Sequence, residues 1–320
     1  MPAVAPDVLN RLSRGVNISR WFRYPAQDSE AHFRGFITDA DLDLLVAMGV
    51  TAVRLAVDPP YLRHEWVDEA VARLTGRGFV VVFDYHDESR QVESGPAAVD
   101  AFERAWTGLA GHLARTTSPR QVLLEILNEP VFDADPAAWF PVRRRLVEVI
   151  RAAAPLHTIV TGGPNWSSLD GLLRGGPVDD ANVVYTFHFY EPYEFTHQGA
   201  PWAPEHVRRL SGVRYPPPWP SRRFVEKRIA LSAAWAERHG VPVWAGEFGA
   251  YPPAAPRPDR LRWLHDVRVA CERHGIGWCV WSYDESLGLD RRLDDSGRVA
   301  IDWESARALG FGGGPGAASR

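Results

Sequence analysis

Eight short apolar runs alternate with longer amphipathic segments along this chain, and this alternation restricts the possible folds more than any other feature. The runs have the length of buried strands and cover residues 15–19, 52–57, 79–86, 122–129, 157–163, 183–190, 242–248 and 276–283. Segments with helical periodicity lie between them, at residues 39–49, 65–78, 96–115, 136–154, 221–240 and 259–275. Strands that alternate with helices form parallel βαβ units, and runs that are apolar on both faces suit a sheet covered by helices. The pattern predicts an α/β protein with a single (β/α)8 barrel, the TIM-barrel fold.

The length of the chain, 320 residues, accommodates one barrel of about 250 residues with insertions in its loops. We predict one domain over residues 1–309, followed by a Gly-rich tail at 310–320 that we expect to be disordered. The segment 164–182 has room for a turn or two of helix. The segment 191–220 is a long loop rich in proline and aromatic residues, so we predict that it forms one wall of a cleft.

Composition argues against several classes of protein. A formal net charge of −4 gives no electrostatic basis for binding nucleic acid. No apolar run reaches the roughly 18 residues of a membrane helix, and the amino-terminal segment lacks the apolar core of a signal peptide. We therefore expect a soluble monomer without a membrane or nucleic-acid partner, either unexported or secreted with its signal removed.

The two cysteines, Cys271 and Cys279, are too few for a disulfide framework. We expect two buried free thiols, because free cysteine packs as a small apolar residue, although a bridge between them stays open. The CxxC and HExxH patterns of zinc sites do not occur. We therefore predict neither a metal nor another cofactor.

Two glutamates end two of the apolar runs. Glu129 closes VLLEILNEP (122–130), and Glu247 closes VPVWAGEFG (241–249). The carboxyl ends of all eight strands of such a barrel meet on one face, which is where these barrels carry their active sites. A pair of carboxylates in one site is the equipment for hydrolysis of a glycosidic bond.

Other strand ends carry polar or aromatic residues at corresponding positions. Arg54 lies inside the second run, where a charge needs partners. Asp84 and His86 end the third run two positions apart, and so on one face. The remaining candidates are Asn128 in the fourth run, His188 and Tyr190 in the sixth, and Trp281 in the eighth. Each of these residues alone is weak evidence. A catalytic site is favoured because six different strand ends carry a polar or aromatic residue at the corresponding position.

This ordered set resembles the functional residues of glycoside hydrolase family 5, the cellulase family of clan A. The matching residues, in chain order, are Arg54, His86, Asn128, Glu129, His188, Tyr190, Glu247 and Trp281. The resemblance spans residues 12–309, and FTHQGAPW (195–202) is similar to a loop in bacterial, endoglucanase-like members. The family implies a TIM barrel, a retaining mechanism and a β-linked glycan as substrate.

The resemblance assigns Glu247 as the nucleophile and Glu129 as the acid/base. Arg54 near Glu247 would favour the ionised carboxylate, while partial burial would raise the pKa of the acid. By the same resemblance, Tyr190 orients the nucleophile and Asn128 holds the sugar 2-hydroxyl. Of the other matching residues, His86 and His188 bind hydroxyls or hold the carboxylates, and Trp281 lies under the sugar at the cleavage point.

An endo-β-1,4-glucanase is the activity we expect, with a β-glucan polysaccharide or oligosaccharide as partner. A β-mannanase, xyloglucanase, β-1,3-glucanase or exo-β-glucosidase stays open, because the loops choose the sugar. A carbohydrate-binding barrel without turnover would be expected to lack a carboxylate, and both are present. A metal-dependent barrel hydrolase would need a motif such as His-x-His on the first strand, and GVNIS (15–19) has none.

Thirteen tryptophans are an unusual number, and several lie in polar or Pro-rich segments. An exposed indole suits the apolar face of a sugar ring. We therefore predict stacking platforms at Trp21, Trp166 and Trp202, and note Trp219 in a similar setting.

Four other sets of charged residues have simpler interpretations. We expect Glu125 to form a buried structural pair, because it shares strand parity with Glu129 and lies deeper in the barrel. Asp84 should steady its surroundings. We assign Asp87 and Glu88 to a solvated loop, and the basic cluster 143–145 to the solvent face of a helix.

Overall fold

The computed structural model describes residues 3–216 and 222–313. Eight parallel strands close into a barrel in sequence order, β1 to β8, with β1 paired to both β2 and β8. The strands are β1 Arg14–Phe22, β2 Ala52–Val57, β3 Val80–Tyr85, β4 Val122–Glu125, β5 Ile159–Gly162, β6 Val183–Phe189, β7 Val243–Phe248 and β8 Gly277–Val280. A two-stranded antiparallel ribbon, β9 Arg292–Leu293 and β10 Val299–Ala300, follows the barrel. The predicted (β/α)8 fold is confirmed.

Helices occupy the connections between the strands. They are α1 Pro6–Arg11, α2 Glu30–Gly35, α3 Asp39–Met48, α4 His64–Gly76, α5 Pro96–Thr116, α6 Trp139–Ala153, α7 Pro164–Ser167, α8 Leu169–Arg174, α9 Tyr193–Thr196, α10 Glu205–Arg208, α11 Arg222–His239, α12 Arg257–Arg273 and α13 Trp303–Ala308. Short 3-10 helices lie at Pro59–Tyr61, Gln91–Ser94 and Pro136–Ala138. All six predicted helical segments are present, with ends that differ by up to three residues.

Alternation along the strands explains how one sequence builds both a core and a site. On β3, Val81 and Phe83 pack in the core that the helices share with the outside of the barrel. Val80 and Val82 face inward with apolar residues of the other strands. The next inward position is Asp84, which is fully buried. The barrel interior is therefore apolar at its amino end and charged at its carboxyl end.

The amino-terminal helix α1 covers the apolar end of this interior. Val8 and Leu12 are buried in the same cluster as the inward residues Leu123, Val160 and Trp244. A proline at the first position of α1 suits its start, because that residue needs no N–H there. This packing leaves the opposite, charged end as the open face of the barrel.

Two predicted boundaries need correction. The apolar run 122–129 is a regular strand only to Glu125, although Ile126 and Asn128 still donate backbone hydrogen bonds to Val160 and Tyr85 of the neighbouring strands. Phe311, which we assigned to a disordered tail, is buried against Trp278 at a centroid distance of 5.4 Å. Residues 314–320 of the predicted tail lie outside the described residues, as do Trp219 and the start of the predicted helix at Ser221.

The structure also tests the expectations for cysteines and membrane helices. Cys271 and Cys279 are both free and buried, as predicted. In residues 3–216 and 222–313, every helix is too short or too polar to cross a membrane.

Candidate active site

Arg54 on β2 is fully buried at the centre of the charged end of the barrel. Its Nε and Nη2 donate to the two carboxylate oxygens of Glu125, at 2.6 and 2.9 Å. Its Nη1 donates to Glu247 Oε1 at 2.5 Å, and Nη2 lies 3.0 Å from Asp84 Oδ2. One guanidinium therefore balances three buried carboxyl groups. Burial raises the pKa of Glu125 to about 7. The positive charge of Arg54 only partly opposes this rise, because it is shared among three carboxyl groups.

Two asparagines complete the hydrogen bonds of Arg54. Asn17 Oδ1 accepts from Nη1 at 3.0 Å, and Asn128 Oδ1 accepts from Nη2 at 3.0 Å. The Asn17 amide nitrogen donates to the carbonyls of Gly246 and Val280, which ties β1 to β7 and β8. Asn128 has its carbonyl oxygen turned to Arg54, and its side chain lines the open cavity. Its NH2 group is the part available to a ligand hydroxyl.

Glu247 lies near the carboxyl end of β7, as the sequence predicts. Oε1 accepts from Arg54, and Oε2 accepts a hydrogen bond of 2.8 Å from the Tyr190 hydroxyl. Both oxygens are thus held by donors, which fix the orientation of the carboxyl group. Burial and the charges of Glu247 and Glu129 raise the pKa of Tyr190 well above its ordinary value, so its hydroxyl stays a donor.

Glu129 lies in the loop after β4, with a backbone φ of 44° in the left-handed region. Glu129 Oε1 and His188 Nδ1 share a hydrogen bond of 2.7 Å. Burial raises the pKa of Glu129 to about 7, against the opposing charges of His86 and Arg54. Glu129 therefore holds a proton at a pH where an ordinary carboxyl group has lost it.

The two glutamates face each other across His188. One side-chain atom from each of Glu129, His188 and Glu247 lies within 4.8 Å of the other two. Burial lowers the pKa of His188 to about 4, so the imidazole between the carboxyl groups is neutral at ordinary pH. The site thus places the carboxyl group of Glu129, whose pKa is raised, at short range from the carboxyl group held by Arg54 and Tyr190.

These three residues could offer ligands to a metal ion, but their surroundings fit that role poorly. Both oxygens of Glu247 already accept hydrogen bonds from Arg54 and Tyr190. The guanidinium of Arg54 also places a positive charge where the carboxylate would receive a cation. The surroundings therefore suit a hydrogen-bonded carboxyl group better than a metal ligand.

His86 and Trp281 lie together at one side of the site. His86 Nδ1 lies 2.6 Å from Asp84 Oδ2, which confirms the steadying role expected for Asp84. Burial lowers the pKa of His86, but the charge of Asp84 together with the hydrogen bonds to Asp84 and Glu88 outweighs burial, so this pKa is raised. The His86 ring stacks on Trp281 at 5.5 Å and 26°, and the indole N–H of Trp281 donates to Glu285 at 3.0 Å. These contacts fix the indole as one face of the cavity.

A cavity of about 1120 Å³ opens above these residues. Aromatic residues from several loops line it, namely Tyr24, Trp166, Tyr190, Tyr193, Trp202, Tyr251 and Trp281. Trp166 is 53% exposed and Trp202 is 57% exposed, and the latter packs edge-on against Tyr251 at 5.0 Å. The segment 191–220 contributes Tyr193, His197, Trp202 and Pro204 to the cavity lining, in addition to Glu191. This confirms the prediction that the segment forms part of a cleft wall.

The prediction for Trp21 is wrong. Its side chain is 0% exposed, and its indole N–H donates to the Phe33 carbonyl at 2.6 Å. Trp21 lies near the end of β1, where it packs at 5.3 Å from Phe22 in the core. β1 continues past the short apolar run that predicted it, and this extension is what buries the indole.

Sequence reasoning also missed a charged wall of the cavity. Glu88, assigned to a solvated loop, accepts hydrogen bonds from Arg23 and Tyr24 and lies 3.5 Å from His86 Nε2. Burial would raise the pKa of Glu88, but the bond from His86 and the charge of Arg23 hold it well below its usual range. Arg23 also lies over the Trp281 ring at 5.1 Å. The acidic pair Asp87 and Glu88 did not reveal this in the sequence, because Arg23 and Tyr24 lie more than sixty positions away from Glu88.

Comparison with known proteins agrees with this geometry. The family model described as cellulase, glycosyl hydrolase family 5, matches residues 14–286. The chain belongs to glycosyl hydrolase family 5. It is a glycoside hydrolase of the cellulase family, and the resemblance drawn from the strand ends is confirmed.

Relatives of this family 5 chain include named endoglucanases. Endoglucanase 3 of Fibrobacter succinogenes is 26% identical over 336 residues, which cover 87% of this chain and 50% of that protein. Endoglucanase C of Acetivibrio thermocellus is 24% identical over 340 residues, covering 92% of this chain and 97% of that protein. The chain therefore spans half the length of the first relative and nearly all of the second.

Solved family 5 structures superpose on most of the chain. Cel5A of Thermotoga maritima, in complex with cellobiose, has a TM-score of 0.82 at 25% identity and covers 95% of this chain and 100% of its own. The same protein with mannotriose gives the same TM-score and identity. The cellulose synthase subunit Z of Clostridioides difficile has a TM-score of 0.80 at 22% identity, covering 93% of this chain and 99% of its own, which shows the shared fold.

Proposed function

We propose that this enzyme is a retaining endo-β-1,4-glucanase that cleaves β-glucan by double displacement. The observation that carries the proposal is the short separation of Glu129 and Glu247, whose nearest oxygens lie within 4.8 Å. Retaining glycosidases hold their carboxyl groups about 5–5.5 Å apart, whereas inverting enzymes need about 6.5–9.5 Å to admit a water. The short separation supports the retaining geometry.

In the first step, Glu247 attacks the anomeric carbon while Glu129 gives its proton to the departing glycosidic oxygen. The covalent bond to Glu247 forms as the bond to the leaving sugar breaks. The contacts of Glu247 with Arg54 and Tyr190 support its role as the ionised nucleophile. The raised pKa of Glu129 supports its role as the proton donor.

In the second step, Glu129 is ionised and takes a proton from a water molecule, which attacks the anomeric carbon and releases Glu247. The neutral His188, bonded to Glu129 at 2.7 Å, holds the carboxyl in place through both steps. Asn128, with its oxygen fixed by Arg54, offers its NH2 group to the sugar 2-hydroxyl. Such a contact strengthens as positive charge develops on the sugar ring.

The cavity supports attack within a chain, since the exposed indoles of Trp166 and Trp202 line it together with the two glutamates. The named endoglucanases among the relatives support β-glucan as the substrate. The mannotriose complex of Thermotoga maritima Cel5A keeps β-mannan as the second candidate.

The stereochemistry of the first product tests the mechanism. Proton NMR of barley β-glucan during early hydrolysis should show the β-anomer at the new reducing end, before mutarotation. An α-anomer as first product would overturn the retaining mechanism. A parallel assay on carboxymethyl-cellulose, barley β-glucan, mannan, xyloglucan and laminarin, with and without a chelator, tests the substrate and the metal-independent chemistry. A preference for mannan, or loss of activity with the chelator, would contradict the proposal.

The pKa of Glu129 predicts the alkaline limb of the activity profile. Because Glu129 must be protonated to begin the reaction and its pKa is about 7, kcat/KM should fall as the pH rises through about 7. Glu129→Gln assayed on an aryl glycoside that needs no acid should lack this limb. A limb that persists would implicate His86, whose pKa is raised, and not His188, whose pKa is lowered to about 4.

Trp202 is the clearest test of stacking beyond the cleavage point. Trp202→Ala should lower kcat/KM on a long β-glucan by about 2- to 12-fold, which corresponds to an aromatic contact of roughly 0.5–1.5 kcal/mol. An aryl cellobioside that does not reach this position should lose far less. Leu293→Ala is a matched control, since Leu293 is 54% exposed and lies outside the cavity. Equal losses on both substrates would show that Trp202 supports the fold or contacts the sugar nearest the cleaved bond.

A further inference from the structure

A second, smaller cavity lies outside the barrel, between the first half of α6 and the segment that joins α8 to β6. Its volume is about 250 Å³, and it shares no lining residue with the large cavity. Three arginines line it, Arg143 and Arg144 from α6 and Arg174 from the end of α8. A site of this size is below the roughly 300–1,000 Å³ of drug-sized pockets, so it suits a small ion or a terminal group.

Arg143 contradicts our assignment of the cluster 143–145 to a solvent face. Its side chain is only 3% exposed, and Nη2 donates to the Gly176 carbonyl at 2.6 Å. Its Nε is buried without an acceptor among the described residues. The guanidinium carbon lies 5.3 Å from the Phe140 ring and 5.7 Å from the Tyr185 ring, which offset only part of the cost of burying a charge.

The charge of this cavity has no internal balance. Within residues 3–216 and 222–313, none of the three arginines forms an ion pair with a carboxylate. Other buried arginines do have such partners, as Arg54 has Glu125 and Arg151 has Asp180 at 2.7 Å. Burial and the charge of Arg144 lower the pKa of Arg143, as expected for a guanidinium in an apolar and positive setting.

We propose that this cavity, which we call the arginine pocket, binds a phosphate dianion, either inorganic phosphate or the phosphoryl group of a phosphomonoester. The guanidinium fork matches the spacing of phosphate oxygens, and three guanidinium groups without a carboxylate partner among the described residues line this one cavity. Three positive charges suit a dianion better than a singly charged carboxylate. The bound group would join α6 to the segment before β6.

Equilibrium dialysis against radiolabelled inorganic phosphate at pH 8 and constant ionic strength tests the pocket. The wild-type chain should bind one phosphate, in a saturable way. Arg174→Gln and Arg144→Gln change exposed residues and should fold, yet each should weaken binding by about tenfold or more, because each removes a charge-assisted hydrogen bond. Arg145→Gln is the matched control. Arg145 is on the same helix but pairs with Asp100 and Glu103, and its loss should leave phosphate binding unchanged.

Competition with unlabelled ligands separates the sources of phosphate. Displacement by glucose 6-phosphate would indicate a phosphomonoester, and displacement by inorganic phosphate alone would indicate the free ion. Acetate that competes as well as phosphate would overturn the proposal, as would the absence of saturable binding to the wild-type chain. Equal weakening in Arg145→Gln would also overturn it, because that result would reflect only the loss of a general positive charge.

Discussion

Glu247→Ala is expected to lower turnover of β-glucan by about 10⁴-fold or more, since it removes the proposed nucleophile while the fold remains. Sodium azide should restore cleavage of an activated aryl glycoside. The azide ion attacks the anomeric carbon from the vacated side, the aryl group leaves, and the product is the α-glycosyl azide. Mass spectrometry and NMR of the product check this outcome, and circular dichroism checks the fold.

Glu129→Ala is the companion variant and should give the opposite stereochemistry. Loss of the proposed proton donor should lower the rate about 10²–10⁴-fold on polysaccharide and much less on a substrate with a good leaving group. Azide should then attack the glycosyl-enzyme in place of water and give the β-glycosyl azide. The roles assigned to the two glutamates are wrong if the anomers are exchanged, or if Glu247→Ala keeps a rate near that of the wild type.

Arg54→Met is expected to destabilise the enzyme by about 3–5 kcal/mol near pH 8, the scale of leaving buried charges without a partner. The variant leaves Asp84, Glu125 and Glu247 without their shared cation. These carboxyls should then protonate more readily in the folded state than in the unfolded chain. Since folding then takes up protons, the loss of stability should be largest at pH 8 and smaller at pH 5. Urea unfolding at the two pH values measures this difference.

Arg151→Met is a suitable control for that experiment. Arg151 is also buried, but it balances a single carboxylate, Asp180, away from the cavity. The loss of stability caused by Arg151→Met should depend less on pH. The kcat of the folded variant should be unchanged. A loss in Arg54→Met that is the same at pH 5 and pH 8 would show that the three carboxyls do not depend on this arginine for their charge balance.

The sequence predicts the features of this enzyme that depend on periodicity. Apolar runs located all eight strands, and the residues at their ends located Glu247, His188 and Tyr190, because strand alternation fixes which side chains face inward. Glu129 was located by the run 122–129 even though the strand ends at Glu125, so the run predicted the residue but not its backbone.

What the sequence could not predict depends on contacts between distant segments. Glu88 belongs to the cavity only because Arg23 and Tyr24, from the loop after β1, meet it there. Trp21 is buried because β1 runs on to Phe22, and the pattern of polar neighbours suggested the opposite. Arg143 lies among three consecutive arginines, and only the position of α6 against the Gly175–Gly176 segment shows which of them is enclosed.

The left-handed backbone of Glu129 sets stability against activity at one position. A residue other than glycine loses about 1–2 kcal/mol in that conformation, and here the side chain is partly buried in the wall of the cavity. Glycine at this position would relieve the backbone strain but would remove the carboxyl group. In the proposed mechanism this residue is the proton donor, so activity is gained at a position where the loop gives up stability that the rest of the barrel must carry.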